Sequence, residues 1–332
     1  MRSVREERRR VLIASPGSDV GRLRLFGAAL ATLAALRIAI GYLSVPVAMV
    51  GSASVFFTVV FMALPIFALF AGAGHRWDLR QAIAVVVLGV AIQVGGTTLS
   101  RMAVNPAAGG VLFALAQTGL IVWCMGVGAA LAGLMKDRNM LLPIAVFLAL
   151  FDVWLVFAPE GLVNTALTTG HAPIALESVA LSIPKVATSG AAPTNGYAQN
   201  LAYVGPADLL FLGMFFASLY RFGMRPRQTF LAIVPVLIVY LAVVLRFGEV
   251  EIGPIRLGAL PALLPIGLTV LWINRREFRL IRDEKIITIA LIVIGIPFVA
   301  WRVLATQPKP TFQHWSPPFE VKDEDLTKRY KF

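Results

Sequence analysis

Cysteine and histidine are almost missing from this chain of 332 residues. There is one thiol, Cys124, and the three histidines, His75, His171 and His314, stand far apart. One thiol cannot build a disulfide framework, and scattered imidazoles give neither a zinc site nor an HExxH helix. No metal and no other cofactor is therefore expected. Charge is scarce as well: 14% of residues, against roughly 25% in an ordinary soluble domain, which excludes a water-soluble enzyme. There is no glycine-rich loop of the kind that cradles phosphate. The net charge of +12 is no argument for a nucleic-acid partner, because the lysines and arginines fall between apolar runs.

Apolar residues are what the chain has in abundance: 58% are hydrophobic and the mean hydropathy is +0.78. Backbone groups in hydrocarbon find no water, so each long apolar run must close its own hydrogen bonds as a helix. Nine runs are expected to span a membrane: 25–43, 55–73, 81–99, 111–135, 141–159, 202–220, 230–245, 257–273 and 286–305. The expected fold class is all-α, a polytopic transmembrane helical bundle of about nine spans with the lipid bilayer around it. The chain divides into a basic leader (1–24), an N-terminal transmembrane bundle (25–140), a transmembrane core (141–273), an extra C-terminal span (274–305) and a polar tail (306–332). The first run reads as a span and not as a cleaved leader, since its basic flank is long and no small-x-small site follows. Small residues in the fourth run, Gly126, Gly128, Ala129 and Gly133, suit close helix packing.

Basic residues near span ends set orientation. The leader holds seven arginines from Arg2 to Arg24, and alternate connections repeat the signal. These are His75-Arg76 with Arg80, Lys136 with Arg138, Arg221 with Arg225 and Arg227, and the group from Arg275 to Lys285. The stretch 160–201 has only Lys185. A cytoplasmic N-terminus and an extracytoplasmic C-terminus are expected.

Of the 18 acidic residues, all but two lie in loops or tails. Asp152 and Asp208 fall inside apolar runs, where a carboxylate is costly and marks a functional site by default. Asp152 is seven residues before the end of its run and Asp208 six after the start of the next. That places both about 10 Å inside the same membrane face. If these consecutive, antiparallel spans are neighbours, the carboxylates meet and share one proton, as an aspartic hydrolase requires. Gly205-Pro206 disfavours helix at Gly205 and suits a helix start at Pro206. Asp208 would then lie near a positive helix end and be the readily ionised member, with Asp152 holding the proton. Pro261 and Pro265 leave carbonyls unpaired at the start of the eighth run, a feature tolerated at depth where backbone lines a cavity or packs on protein.

Phe151-Asp152, Gly205-Pro206-Ala207-Asp208 and Pro261-Ala262-Leu263 resemble the three ordered signatures of the presenilin and signal peptide peptidase family of GxGD-type intramembrane aspartyl proteases: Tyr-Asp, Gly-x-Gly-Asp and Pro-Ala-Leu. The resemblance covers about 141–273. It implies a presenilin-like fold, Asp152 and Asp208 as the catalytic pair, Phe151, Gly205, Pro206 and Ala207 shaping the site, and Pro261, Ala262 and Leu263 helping to receive substrate. The partner it implies is a transmembrane peptide, and the expected orientation makes that a type II segment, as for signal peptide peptidase. The chain departs from the pattern at Phe151, which lacks the tyrosine hydroxyl, and at Ala207, which replaces a glycine. It also has one span fewer before the first motif and one more after the third.

Within 160–201, Val179, Leu181 and Ile183 alternate with smaller residues as in a strand. An exposed strand there could hold an unwound substrate by edge addition, with Ile183 in it. Two other readings use the same residues: a proton- or cation-coupled transporter relaying through Asp152 and Asp208, and a non-catalytic protein of presenilin-like fold. Arg37, midway through the first span, either pairs or snorkels.

Overall fold

Polar residues between the apolar runs set several helix ends. The Asp78 carboxylate accepts the Gln81 amide at 2.7 Å and the Gln81 side chain accepts the Asp78 amide at 3.3 Å, a reciprocal capping box. Asn105 accepts the Ala107 amide at 2.9 Å, and Pro106 takes the first helical position, where its missing amide has no partner to lose. The computed structural model describes residues 16–157, 179–188, 200–247, 251–252, 255–256 and 261–304. Among these residues lie nine α-helices: α1 (Pro16–Ile40), α2 (Val47–Ala73), α3 (Leu79–Met102), α4 (Pro106–Leu134), α5 (Leu141–Phe157), α6 (Pro206–Arg221), α7 (Pro226–Phe247), α8 (Leu263–Asn274) and α9 (Arg282–Leu304). Each matches one expected run. Residues 1–15 of the leader, the tail from 305, and 158–178 and 189–199 of the long connection lie outside the described residues.

Seven helices are long and apolar enough to cross a membrane: α1 to α5, α7 and α9. The other two are shorter. At 1.5 Å per residue, α6 and α8 reach about 24 and 18 Å, less than the ~30 Å of a hydrocarbon core. α6 is the centre of the bundle, with Leu212, Phe215, Phe216 and Leu219 buried. The outer helices turn apolar side chains outward, among them Val87 and Val94 on α3 and Ile287, Val293 and Ile294 on α9. Contiguous apolar surface of this kind is unfavourable in water and at home in lipid. The chain is a multi-pass membrane protein.

Close helix approach depends on missing side chains. The most extensive helix pair is α3 with α4, and the next is α4 with α6. A Cβ on Gly128 of α4 would stand 2.6 Å from the Met214 nitrogen and 2.8 Å from the Leu210 oxygen of α6. A Cβ on Gly119 would stand 2.7 Å from the Gly89 oxygen of α3. Between helices in lipid, backbone proximity replaces the hydrophobic drive that water would supply.

Three connections are tied together at one face. Asn139 donates to the Arg279 carbonyl and to Glu284, both at 3.0 Å, and accepts the Arg279 amide at 3.1 Å. Asn274 accepts the Arg225 amide at 3.1 Å and donates to Thr229 at 3.0 Å. Glu277 pairs with Arg225 at 3.3 Å and Arg138 at 4.0 Å. The basic connections after α4, α6 and α8 therefore share one end of the bundle.

At the other end short strands form a small layer: β1 (Ser44–Val45), β2 (Leu181–Pro184), β3 (Ala187–Thr188) and β4 (Asn200–Val204). A further pair, β5 (Glu251–Ile252) and β6 (Ile255–Arg256), is antiparallel. β1 pairs in parallel with β3, and β2 antiparallel with β4, with Leu181 opposite Val204 and Ile183 opposite Ala202. Arg37, buried in α1, fixes this layer. It donates to the Ser182 carbonyl at 2.7 Å and to the Ser182 hydroxyl, and lies 5.0 Å from the Phe113 ring centre. From α4, Gln117 accepts the Ser182 amide at 2.9 Å and donates to the Ala180 carbonyl at 3.3 Å.

Overpacking a close contact costs about 1–3 kcal/mol. Gly128→Leu should therefore lower the unfolding midpoint in detergent by roughly 2–10 °C, read by thermal denaturation. Gly95→Ala, where an added Cβ meets nothing within 4 Å, should lose none.

Candidate functional site

Asp152 is the one acidic residue in α5 and is 9% exposed. A carboxylate this buried needs a hydrogen-bond partner. It finds one 111 residues along the chain: its Oδ2 accepts the Leu263 amide at 2.7 Å. α8 begins at Leu263 with Ala262 as its N-cap, which has no side-chain oxygen to offer. Asp152 reaches across from another helix and does the work of a capping side chain, facing the positive end of α8.

Asp208 is the third residue of α6. Gly205 is the extended N-cap residue and Pro206 takes the first helical position. The Asp208 carboxylate stands in the first turn of α6, at the positive end of the helix. A Cβ on Gly205 would lie 3.3 Å from Asp208 Oδ2, so a bare backbone suits this turn. The Pro206 carbonyl accepts from the Cys124 thiol of α4 at 3.4 Å.

The two carboxylates are near enough to interact electrostatically, but not for the reason the sequence suggested. α5 packs mainly on α9 and α8, and α6 mainly on α4 and α2. α8 touches both α5 and α6, so the pair is assembled through α8 and not by two consecutive helices lying flank to flank. Depth also differs from expectation. Residues 202–204 belong to β4, because Gly205-Pro206 delays the helix, and Asp208 is only about 3 Å along α6 from its start. Both acids still lie toward the strand-bearing end of the bundle. Asp152 holds a backbone amide donor at the start of α8 and Asp208 stands at the positive end of α6, so these surroundings do not separate the two into proton holder and anion.

The remaining expected site residues divide. Gly205, Pro206 and Leu263 touch the acids or the turn that carries one of them. Pro261 is buried and precedes α8 in place of lying inside it, since the helix starts two residues later; 257–260 lie outside the described residues. Ala262 is the N-cap. Ala207 is exposed. Phe151 is exposed too, on the outer face of α5, stacked between Phe147 at 5.8 Å and Trp154 at 5.7 Å. The hydroxyl missing from Phe151 would thus have pointed away from Asp152.

Ile183 sits in a strand, as its alternation implied, yet the strand is not an exposed receiving edge. Ile183, Leu181 and Ser182 are all buried, one side of β2 is paired with β4, and the Ser182 amide and carbonyl are taken by Gln117 and Arg37. Its role is to anchor β4, which runs directly into Gly205 and Asp208.

Two residues near the acids were not singled out from sequence. Tyr240, on the inward side of α7 with Leu237 and Leu241, lies in the electrostatic field of both carboxylates. A lone phenol in the apolar run 230–245 was the available signal. Cys124 was read only for its lack of a disulfide partner. Among the described residues no three His, Cys, Asp or Glu side chains group as metal ligands. No family model, curated protein or solved structure matches the chain.

Losing a hydrogen bond to a charged group costs about 1.5–3 kcal/mol. Asp152→Leu, which leaves the Leu263 amide without its acceptor, should destabilise the protein by that amount in denaturation measurements. Asp152→Asn retains an acceptor oxygen and should stay within about 1 kcal/mol of wild type.

Proposed function

We propose that this protein is an intramembrane aspartyl protease of the presenilin and signal peptide peptidase type, hydrolysing peptide bonds of transmembrane segments. The observation that carries the reading is the convergence of three separated segments. The Leu263 amide after Pro261-Ala262 is bonded to Asp152 of α5, and Asp208 of α6 lies within electrostatic range of Asp152, inside an apolar bundle. Those are the three segments that the resemblance singles out.

The chemistry follows from the pair. When two buried carboxylates interact, one of them retains a proton. The ionised member takes a proton from a water molecule as its oxygen attacks the peptide carbonyl carbon. The protonated member gives its hydrogen to the carbonyl oxygen. Collapse of the tetrahedral intermediate expels the amine, which receives a proton from the dyad. Asp208, in the first turn of α6 beside the strand layer, is the acid nearer a membrane face, where water arrives. The Leu263 amide fixes the direction of Asp152 before substrate enters, which is positioning done in advance.

The proposal includes nine membrane passes, with α6 and α8 as the short ones, a cytoplasmic N-terminus and an extracytoplasmic C-terminus. The basic connections meeting at one end of the bundle support it. With the acids toward the opposite end, the substrates are type II segments.

Purified protein incubated with a panel of helical type II peptides should cleave at least one. Asp152→Asn and Asp208→Asn should each reduce the rate at least a hundredfold, and cleavage surviving either substitution would refute the dyad. For the topology, a single cysteine at Arg276 in a Cys124→Ser background should react with an impermeant maleimide only after the cytoplasmic face is opened.

A further inference from the structure

At the far end of α6 from Asp208 lies a cavity of about 660 Å³, bounded by α1, the connection between α2 and α3, the last turns of α4 and the last turn of α6. Arg221, on its wall, is thirteen residues beyond Asp208, about 20 Å of helix, so the cavity is separate from the carboxylate site.

Its polar wall carries Arg22, Arg76 and Arg221 together with Asp19 and Asp78. The two carboxylates have other work. Asp78 caps α3, accepting the Gln81 amide at 2.7 Å, and Asp19 lies in the first turn of α1, so each stands at the positive end of its own helix. Two of the guanidinium groups are anchored and none is neutralised. Arg22 donates to the Gly74 carbonyl at 2.9 Å and lies 4.5 Å over the Tyr220 ring, and Arg221 donates to the Ala132 carbonyl. Among the described residues the ion pairs are Arg138–Glu277 and Arg225–Glu277, so none of these three arginines has a carboxylate within 4.0 Å. His75, also on the wall, has Nδ1 buried without a hydrogen-bond partner.

Trp77, Leu79 and Leu134 also line the cavity, and much of the remaining wall is small residues, among them Ala129, Ala132, Gly133 and Ala217. They leave the room that larger side chains would fill. Gly133 faces open space: a Cβ built on it meets nothing within 4 Å.

We propose that this cavity binds a phosphate-bearing anion. Guanidinium groups offer paired N–H donors that match phosphate oxygens, and two of the three, Arg22 and Arg221, are set in place before the anion arrives, with Arg76 free to close on it. The apolar wall suits an attached acyl chain. The phosphate could be the headgroup of an anionic phospholipid entering at the membrane surface or a soluble phosphate, and the experiment separates the two. The inference is independent of the proteolytic reading.

Thermal unfolding of the full chain, purified in neutral detergent and phosphate-free buffer, provides the test. It is measured with added dioleoylphosphatidylglycerol, inorganic phosphate, or zwitterionic dioleoylphosphatidylcholine. A saturable rise of several degrees with phosphatidylglycerol alone supports the site and identifies a lipid headgroup. An equal rise with inorganic phosphate supports it and identifies a soluble anion. In both cases Arg76→Gln combined with Arg221→Gln should weaken the midpoint of the effect at least tenfold, and Arg276→Gln, outside the cavity, should leave it unchanged. Gly133→Leu keeps every charge and fills the open space, so it should abolish the rise while the unliganded midpoint stays where it was. No rise with either phosphate compound, a rise equal to that with phosphatidylcholine, or a rise that survives Gly133→Leu would overturn the proposal.

Discussion

A carboxylate inside a bundle of apolar helices must be given a partner, and the partner chosen here joins two parts of the chain. Asp152 takes the Leu263 amide, and in doing so it closes the open end of α8. Neither group could be left alone at modest cost: the acid would be buried without a donor, and the amide would be one of the four unpaired donors that every helix start presents. Satisfying both with one hydrogen bond fixes α8 against α5 and brings the Pro261–Leu263 segment to the acid. Asp208 stands in the first turn of α6, where the positive end of its own helix faces it.

Around this contact the bundle has two unlike ends. One carries the strand layer and the acids. Its organiser is Arg37, whose charge is spread over the Ser182 carbonyl and hydroxyl and the face of Phe113. By holding β2, Arg37 and Gln117 hold β4, and β4 sets where α6 begins. The other end carries the basic connections, tied by Asn139, Asn274 and Glu277. α6 links the ends, its first turn holding Asp208 and its last turn contributing Tyr220 and Arg221 to the cavity wall.

Helix existence was legible in the sequence because hydrocarbon forces apolar runs into helices, and every expected run has its helix. Helix ends were legible where a local side chain makes them, as at Asp78 and Asn105. They were misread where tertiary pairing competes: 202–204 is apolar enough to be helix but pairs with β2, and α8 starts late because Pro261 and Ala262 lead into it and Asp152 supplies its cap. The two acids stood out because charge in an apolar run is rare. Their route to each other did not, since it passes through α8. The partner of Arg37 could not be read either, because Ser182 lies 145 residues away. The strand at Ile183 was visible in its alternation, but its burial was not, because the residues that cover it come from α1 and α4.

The central claim is that Asp152 and Asp208 act as one proton-sharing unit. A peptide carrying a hydroxyethylene group in place of the scissile amide presents that unit with a hydroxyl where the tetrahedral intermediate would have its oxygens. Its binding to purified protein, followed by calorimetry, is the most direct measurement. Saturable one-to-one binding that is lost in both Asp152→Asn and Asp208→Asn is the predicted result. Binding that persists in either variant, or none in the wild type alongside measurable cleavage, would contradict the account.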